Sequence, residues 1–455
     1  MKIIIAGAGK IGYSVASILV NEGHDITVID KNPDIVSNIS NNLDVICVEG
    51  SATNSDTLLD AGAAGADLIM AAMRSDEMNM VCGITARKLG TQHVIARIRD
   101  TDYLSQTEFL RDALGLSVIV NPELECAREI SRILRFPGAI RVDTFASGSA
   151  EIVEHRVVSG SRLDGLQLKD MVRTFGAKVL VGVVQRGGDA EIPNGDFVIR
   201  SGDLLSLTGD SAELRKFFIS AGLYSKPVKN VMIMGGGRIA VHLTKLLQES
   251  GMSVTVVEAD RARCNDLCEL IPSARIVWGD GTLNEVLQEE GISRSDAFVA
   301  LTGDDGDDII TSMYAKHCGV GRIVVKANRE YYSGILESAG LESVVTPKAL
   351  ISQQLARYVR AMDNSAGSSM ETLYRLADGK AEALEFKVSE GSRCIGIPLK
   401  SLRLRSNLII SSIVRRNQTI IPDGDTVIRP GDHAVVMTRA GWLKNLDSVL
   451  DADIV

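Results

Sequence analysis

Six residues near the N-terminus, Gly7, Ala8, Gly9, Lys10, Ile11 and Gly12, have the spacing G-x-G-x-x-G at a predicted strand-to-helix turn. Gly7 permits the tight turn, Gly9 lets the backbone approach a pyrophosphate, and Gly12 lets helix and strand pack closely. The amides at the helix start then face the phosphates, helped by the helix dipole. Asp30 ends the next apolar run, 23 residues after Gly7, where a carboxylate accepts hydrogen bonds from ribose hydroxyls. Its charge opposes a 2′-phosphate, so NAD or an adenine nucleotide is favoured over NADP.

The pattern then recurs. "GGGRIA" sets Gly235, Gly236, Gly237, Arg238 and Ile239 at a second such turn, with Ala240 for the third glycine and Glu258 for Asp30. Lys10 and Arg238 either reach a phosphate or stay solvated at the helix start. Further candidates sit where predicted strands end, the place where open α/β sheets bind ligands. They are Met73, Arg74 and Asp76 in "MRSDEMN", Thr302, Gly303 and Asp305 in "TGDDGDD", and the cations Arg97 and Lys326. Helix capping and surface ion pairing are the alternatives for each. The acidic run 304–308 lacks the glutamate of a calcium loop, since Ala315 holds the twelfth position. Acids in the first turn of a helix are favourable in themselves, so no metal site is expected.

Short apolar runs such as "KIIIAG", "DITVID", "ADLIMAAM" and "HVIARI" predict buried parallel strands, and helical periods alternate with them. That alternation implies a doubly wound parallel sheet. From Ala150 the texture changes to short strands ("AEIVEHRVV", "AKVLVGVVQR", "FVIRSGD", "LLSLTGD") with two short helices, a compact α+β module. The whole unit repeats. Gly235 follows Gly7 by 228 positions, and "IPNGDFVIRSGD" returns as "IPDGDTVIRPGD" 229 positions later. The expected order is a Rossmann-like domain at 1–136, a small domain at 140–224, a second Rossmann-like domain at 228–362 and a second small domain at 372–455. Stretches 137–148 and 363–371 read as linkers.

The 455 residues carry a net charge of −9 and only 4% aromatics, which sets nucleic-acid binding aside. Seven scattered cysteines without C-x-x-C spacing argue against a disulfide framework and fit a reducing cytoplasm. No signal peptide and no membrane span are expected. The six histidines have no counterparts between the copies, and no nucleophile or metalloprotease motif is present. Two nucleotide pockets without acid–base chemistry read as a sensor rather than an enzyme.

The string "GAGKIG…ID…GSAT…SDEMN…IARIR", followed by "GSRLDGLQLKD…IPNGDFVIRSGD", resembles the RCK (KTN) regulatory unit. Its duplication over essentially the whole chain resembles the TrkA family of Trk potassium uptake systems. The resemblance implies tandem Rossmann-like domains, each followed by a small RCK C-terminal domain. It also implies a homo-oligomeric ring (dimer or tetramer), peripheral on the inner face of the cell membrane, that binds NAD(H) and ATP or ADP and gates a potassium-translocating Trk-type subunit. Dinucleotide contacts are implied at Gly7 to Ile11, Asp30, Thr53, Met73, Arg74 and Arg97. In the second copy they are implied at Gly235 to Ile239, Glu258, Asp280, Thr302 and Lys326. Ala240 and the acidic run depart from the pattern. A regulator of another transporter and an NAD-dependent oxidoreductase are the alternatives.

Overall fold

A computed structural model describes residues 1–100, 103, 106–135, 140–145, 149–223, 228–328, 336, 341, 343–364, 370–416, 418–439, 443 and 445–451. In the first unit the strands are β1 (Lys2–Ala6), β2 (Asp25–Asp30), β3 (Ile46–Glu49), β4 (Leu68–Ala71), β5 (His93–Arg97) and β6 (Val118–Val120). They form one parallel sheet in the order β3-β2-β1-β4-β5-β6. The second unit repeats it with β12 (Asn230–Met234), β13 (Ser253–Glu258), β14 (Arg275–Trp278), β15 (Ala297–Ala300), β16 (Arg322–Lys326) and β17 (Ser343–Val345), in the order β14-β13-β12-β15-β16-β17. The order reverses at β1/β4 and at β12/β15, which opens a crevice at the carboxyl end of each sheet.

Parallel strands are buried on both faces, so each sheet needs two layers of helix. In the first sheet Ile4 and Ala6 pack with Leu58, Cys82 and Ala86 on one side, which helices of the same unit supply. On the other side Ile3 and Ile5 meet Val15, Leu19 and Ile39, and then Ile351, Leu355, Ala356 and Val359 from helix Pro347–Asn364. That helix follows β17 of the second sheet. The exchange is reciprocal: helix Pro122–Arg135, which follows β6, sends Cys126, Ala127, Ile130, Ile133 and Leu134 into the core of Val231, Ile233, Val241 and Leu243. The two exchanged helices also touch each other. Each unit thus completes the other's core.

The small domains share one antiparallel topology. The first comprises β7 (Arg141–Phe145), β8 (Ala150–Arg156), β9 (Leu180–Arg186), β10 (Asp189–Glu191) and β11 (Leu204–Gly209), ordered β10-β9-β11-β8-β7. The second comprises β18 (Met370–Leu376), β19 (Ala381–Lys387), β20 (Leu408–Arg415), β21 (Gln418–Ile420) and β22 (His433–Thr438), ordered β18-β19-β22-β20-β21. Their sheets pack on each other through Phe145, Ile152 and Val183 against Tyr374, Val435 and Met437. Phe145 and Tyr374 meet edge to face with ring centroids 4.7 Å apart.

Three sequence expectations are corrected. "FVIRSGD" is not a strand: Phe197 and Ile199 exchange backbone hydrogen bonds with the Gly165–Leu168 loop instead. The turn that follows is fixed by Asp203, which accepts from Arg200 N at 2.8 Å and from Nε and Nη2 of Arg186 at 2.7 Å. Asp432 does the same for Arg429 N and Arg415, which gives the repeated "R-x-G-D" its purpose. Within 137–148, residues Arg141–Phe145 form a strand rather than a linker, because Val142 and Phe145 are buried. Residues 137–139 and 146–148 lie outside the described residues. Within 363–371, the helix reaches Asn364 and β18 starts at Met370, while 365–369 lie outside the described residues.

The exchange has a testable consequence. Leu355→Ala is expected to lower stability by about 2–5 kcal/mol, as core truncations do. The loss should appear in denaturant unfolding and in faster amide exchange of β1, in the other copy, before any change in β12. Protection lost around β12 alone would contradict the assignment.

Candidate functional site

Both fingerprints form the turn that their glycines require. Gly7 and Gly235 each stand at φ +97°, and a Cβ on either would press on the backbone of Ala72–Met73 or Leu301–Thr302. At Gly12 a Cβ would overlap the carbonyl oxygen of Gly7, so this residue serves packing, not contact. Gly9 and Gly237 cap the helices Lys10–Asn21 and Arg238–Glu249 without a side-chain acceptor, and neither helix has an acid in its first turn. A Cβ at either would meet nothing within 4 Å. Open amides at a helix start, beside free space, form an anion site.

The acids at the strand ends brace that loop. Asp30 accepts from Ala8 N at 2.8 Å and from Asn32 N at 2.9 Å. Glu258 accepts from Gly236 N at 2.7 Å and from Asp260 N at 2.8 Å. Each carboxylate oxygen keeps a lone pair for a hydroxyl.

A cleft of about 410 Å³ opens beside Asp30, lined by Gly7, Gly9, Ile35, Ser51, Ala52, Met73, Arg74 and Ser75. Thr53 is not among its lining residues; its hydroxyl pairs with that of Ser51 at 2.9 Å. Asp76 is also withdrawn, since it accepts from the amides of Arg99 and Asp100 at 2.7 and 2.9 Å and pairs with the Arg99 guanidinium. Its counterpart Asp305 holds Asn328 in the same way. Both carboxylates latch one strand end to the next.

In the second unit the equivalent walls differ. Arg263 stands where Ile35 lines the first cleft, and it donates to Gly236 O at 2.9 Å. Trp278 pairs with Glu258 in register, as Glu49 does with Asp30, and it donates to Ala259 O. Asp280 is bound to its own turn through Thr282 N and Oγ1, which hold its carboxyl below the usual range.

Lys10, Ile11, Arg97 and Lys326 turn up elsewhere than a single-unit reading implies. With Ile239, Arg74, Lys348 and Glu123 they line a cleft of about 440 Å³ between the two units. Gly9, Ala72 and Arg74 line both clefts, which therefore share a wall at the first helix start. Five cations face one acid there. Arg97 is only 3.7 Å from Glu123, and burial pulls its pKa down from the usual value. Arg238 lies in a smaller hollow with Arg99 and His242.

The sequence reading missed the residue pair that fixes the strand-end loops. Asn79, fully buried, accepts from Met73 N at 2.8 Å and donates to Arg97 O at 2.8 Å and Met73 O at 3.2 Å. Its counterpart Asp308 accepts from Thr302 N at 3.0 Å and Thr302 Oγ1 at 2.7 Å. The 229-residue repeat pairs these two positions, and a buried amide or acid two turns from the strand end was the available signal. Asp304 caps its helix by accepting from Gly306 N and Asp307 N, while Asp305 and Asp308 accept from Asn328 N and Thr302 N, so these three acids face backbone donors in different directions.

Family models agree with the repeat. The TrkA-N domain matches residues 3–122 and 231–347, and the TrkA-C domain matches 152–218 and 383–446. A Trk system potassium uptake protein TrkA homolog from Archaeoglobus fulgidus is 32% identical over 99% of this chain and 100% of its own. The Trk system potassium uptake protein TrkA of Haemophilus influenzae is 31% identical over 96% of this chain and 95% of its own. Among solved structures, the GsuK channel bound to NAD superposes with a TM-score of 0.64 at 20% identity, covering 96% of this chain and 76% of that one. GsuK bound to ADP gives 0.50 at 18% identity, covering 79% and 69%.

Burial holds the Asp308 carboxyl above its usual range despite its hydrogen bonds. A raised pKa stabilises the fold below the unfolded value near 3.8, and that contribution drains away as pH rises through the folded value. The permanently neutral Asp308→Asn is therefore expected to equal or exceed wild-type stability at pH 7. The difference should close towards pH 4. Urea midpoints at both pH values check this, and a variant clearly weaker at pH 7 refutes it.

Proposed function

The chain belongs to the TrkA family of potassium uptake proteins, and from that membership we propose that it is a nucleotide-binding regulatory subunit of a potassium-translocating membrane protein. The observation that carries this reading is the wall that the two clefts share at Gly9, Ala72 and Arg74. A nucleotide seated against Asp30 and the Gly9 amides puts its phosphates beside Arg74, which also faces the cleft between the units. Negative charge arriving there acts on Arg97, Lys326 and Lys348, cations drawn from both copies. A ligand that sits more tightly in one arrangement of the two units shifts the population towards it. Since each unit holds a helix of the other, such a shift moves both.

NAD(H) and ATP or ADP are the nucleotides to test first, because related folds have been solved with NAD and with ADP. The open cleft with the apolar Ile35 favours NAD(H) at Asp30. The Glu258 site, whose glycine loop Arg263 braces, favours a different ligand of the adenine nucleotide class. No helix among the described residues is long and apolar enough to cross a membrane. In this reading the potassium path lies in a partner, on whose inner face a homo-oligomer of this chain, a dimer or tetramer, assembles.

Asp30→Ala is expected to weaken NADH binding about tenfold or more, the value of a charged hydrogen bond of roughly 1.5–3 kcal/mol. Glu258→Ala should leave that affinity within about twofold. NADH fluorescence titrations of the folded variants decide it, and equal losses would remove the assignment of NADH to the first site.

Gating is read in flux. With the partner reconstituted, potassium flux should differ among ATP, ADP, NADH and NAD added in turn. A nearly complete swing needs a preference of about 5.5 kcal/mol summed over the bound sites. Flux indifferent to four nucleotides that each bind ends the gating proposal.

A further inference from the structure

The second small domain holds a polar group that the nucleotide chemistry does not use. Glu371 on β18, Glu385 on β19 and His433 on β22 stand on three adjacent strands. His433 Nδ1 is 2.9 Å from Glu371 Oε2 and 2.8 Å from Glu385 Oε1. One donor atom from each residue lies within 4.8 Å of the other two. A ring nitrogen carries at most one hydrogen, so two carboxylates converge where a single proton can serve only one of them well.

Backbone geometry aims the group. The pairing of β18 with β19 shifts register between Met370 and Thr372, and Glu371 is the residue that the bulge inserts. A bulge turns a side chain away from strict alternation, and here it turns Glu371 towards Glu385. In the first small domain the corresponding pair, β7 with β8, runs without a shift. There Glu154 takes the place of Glu385, Leu204 that of His433, and Arg141 with Asp143 completes the group at 2.9 Å. The first copy balances its buried carboxylate with a built-in guanidinium. The second replaces that cation with an imidazole and a second carboxylate.

We propose that Glu371, Glu385 and His433 bind a first-row transition-metal dication of the zinc type, with water completing its shell. One imidazole and two carboxylates suit such an ion. Bonds of ~2.1 Å set neighbouring donors of a tetrahedral ion roughly 3.4 Å apart, so the side chains need open by only about half an ångström. Glu385 is 3% exposed and fixes the depth of the site, whereas Glu371 and His433, at 36% and 28%, leave an entry from solvent. Lys387, opposite His433 in register, is a nearby cation whose charge opposes that of the ion. Bound there, the ion clamps the edge strand β18, which contacts the exchanged helix Pro347–Asn364, onto β19 and β22 of its own sheet.

The test uses the full chain, stripped by chelation and titrated with Co²⁺ as an optical probe and Zn²⁺ by equilibrium dialysis. One equivalent per chain is expected, with the visible spectrum of a nitrogen- and oxygen-bound Co²⁺. Glu371→Gln and His433→Gln, both at part-exposed positions, should each weaken binding at least tenfold while thermal unfolding without metal confirms the fold. Cys268→Ser, which removes an exposed thiol, should leave the site intact. No uptake by the wild type, equal uptake by the two ligand variants, or loss with Cys268→Ser instead would overturn the proposal.

Discussion

A parallel sheet is stable only when both of its faces are covered, and neither sheet of this chain covers itself. Helix Pro347–Asn364 lays Ile351, Leu355 and Val359 on the first sheet, and helix Pro122–Arg135 lays Ile130 and Leu134 on the second. Burying one such side chain contributes roughly 1.5–3 kcal/mol, so either unit alone would expose several times that. The duplication within one polypeptide follows from this dependence: the partner that completes each core is always present at high local concentration. The face-to-face placing of the two helix starts follows as well, and with it the cationic cleft that neither unit forms alone.

Within that shared frame the copies have diverged where ligands would sit. Asn79 can donate, so it ties two carbonyl oxygens, whereas Asp308 can only accept while ionised and so gathers the Thr302 amide and hydroxyl. Ile35 leaves the first cleft open, whereas Arg263 braces the second glycine loop. The scaffold is kept and the lining is altered.

The small domains are held by a different logic. Their sheets share an apolar interface around Phe145, Tyr374 and Met437, while the buried carboxylates Asp203 and Asp432 are each matched by a bidentate arginine. A buried charge is tolerated only when its partners are supplied locally, and here the R-x-G-D turn supplies a backbone amide while β9 or β20 supplies the guanidinium to the same carboxylate. Met437 fills the space opposite Gly182, where a Cβ would collide with it. The linked small domains therefore carry the exchanged helices on a firm base.

Much of this was readable from the residues in order. Glycines at positions 7 and 235 announce a left-handed turn because other side chains are strained there, and apolar runs of four to six residues between breakers announce parallel strands. The constant offset announced the duplication. The strand at Arg141–Phe145 and the loop at "FVIRSGD" were misread because one is short and the other is apolar for a loop. What no local pattern states is which sheet an amphipathic helix will cover. The apolar stripe of Pro122–Arg135 would suit either sheet, and only chain geometry in three dimensions sends it to the other copy. The same geometry moves Arg97 and Lys326 from their own crevices into a shared one, and through a single inserted residue it brings Glu371 to His433. Sequence determined the elements and their repetition, since these rest on contacts a few residues apart. Tertiary structure decided the partnerships, since those join surfaces from about one hundred to about three hundred and fifty residues apart.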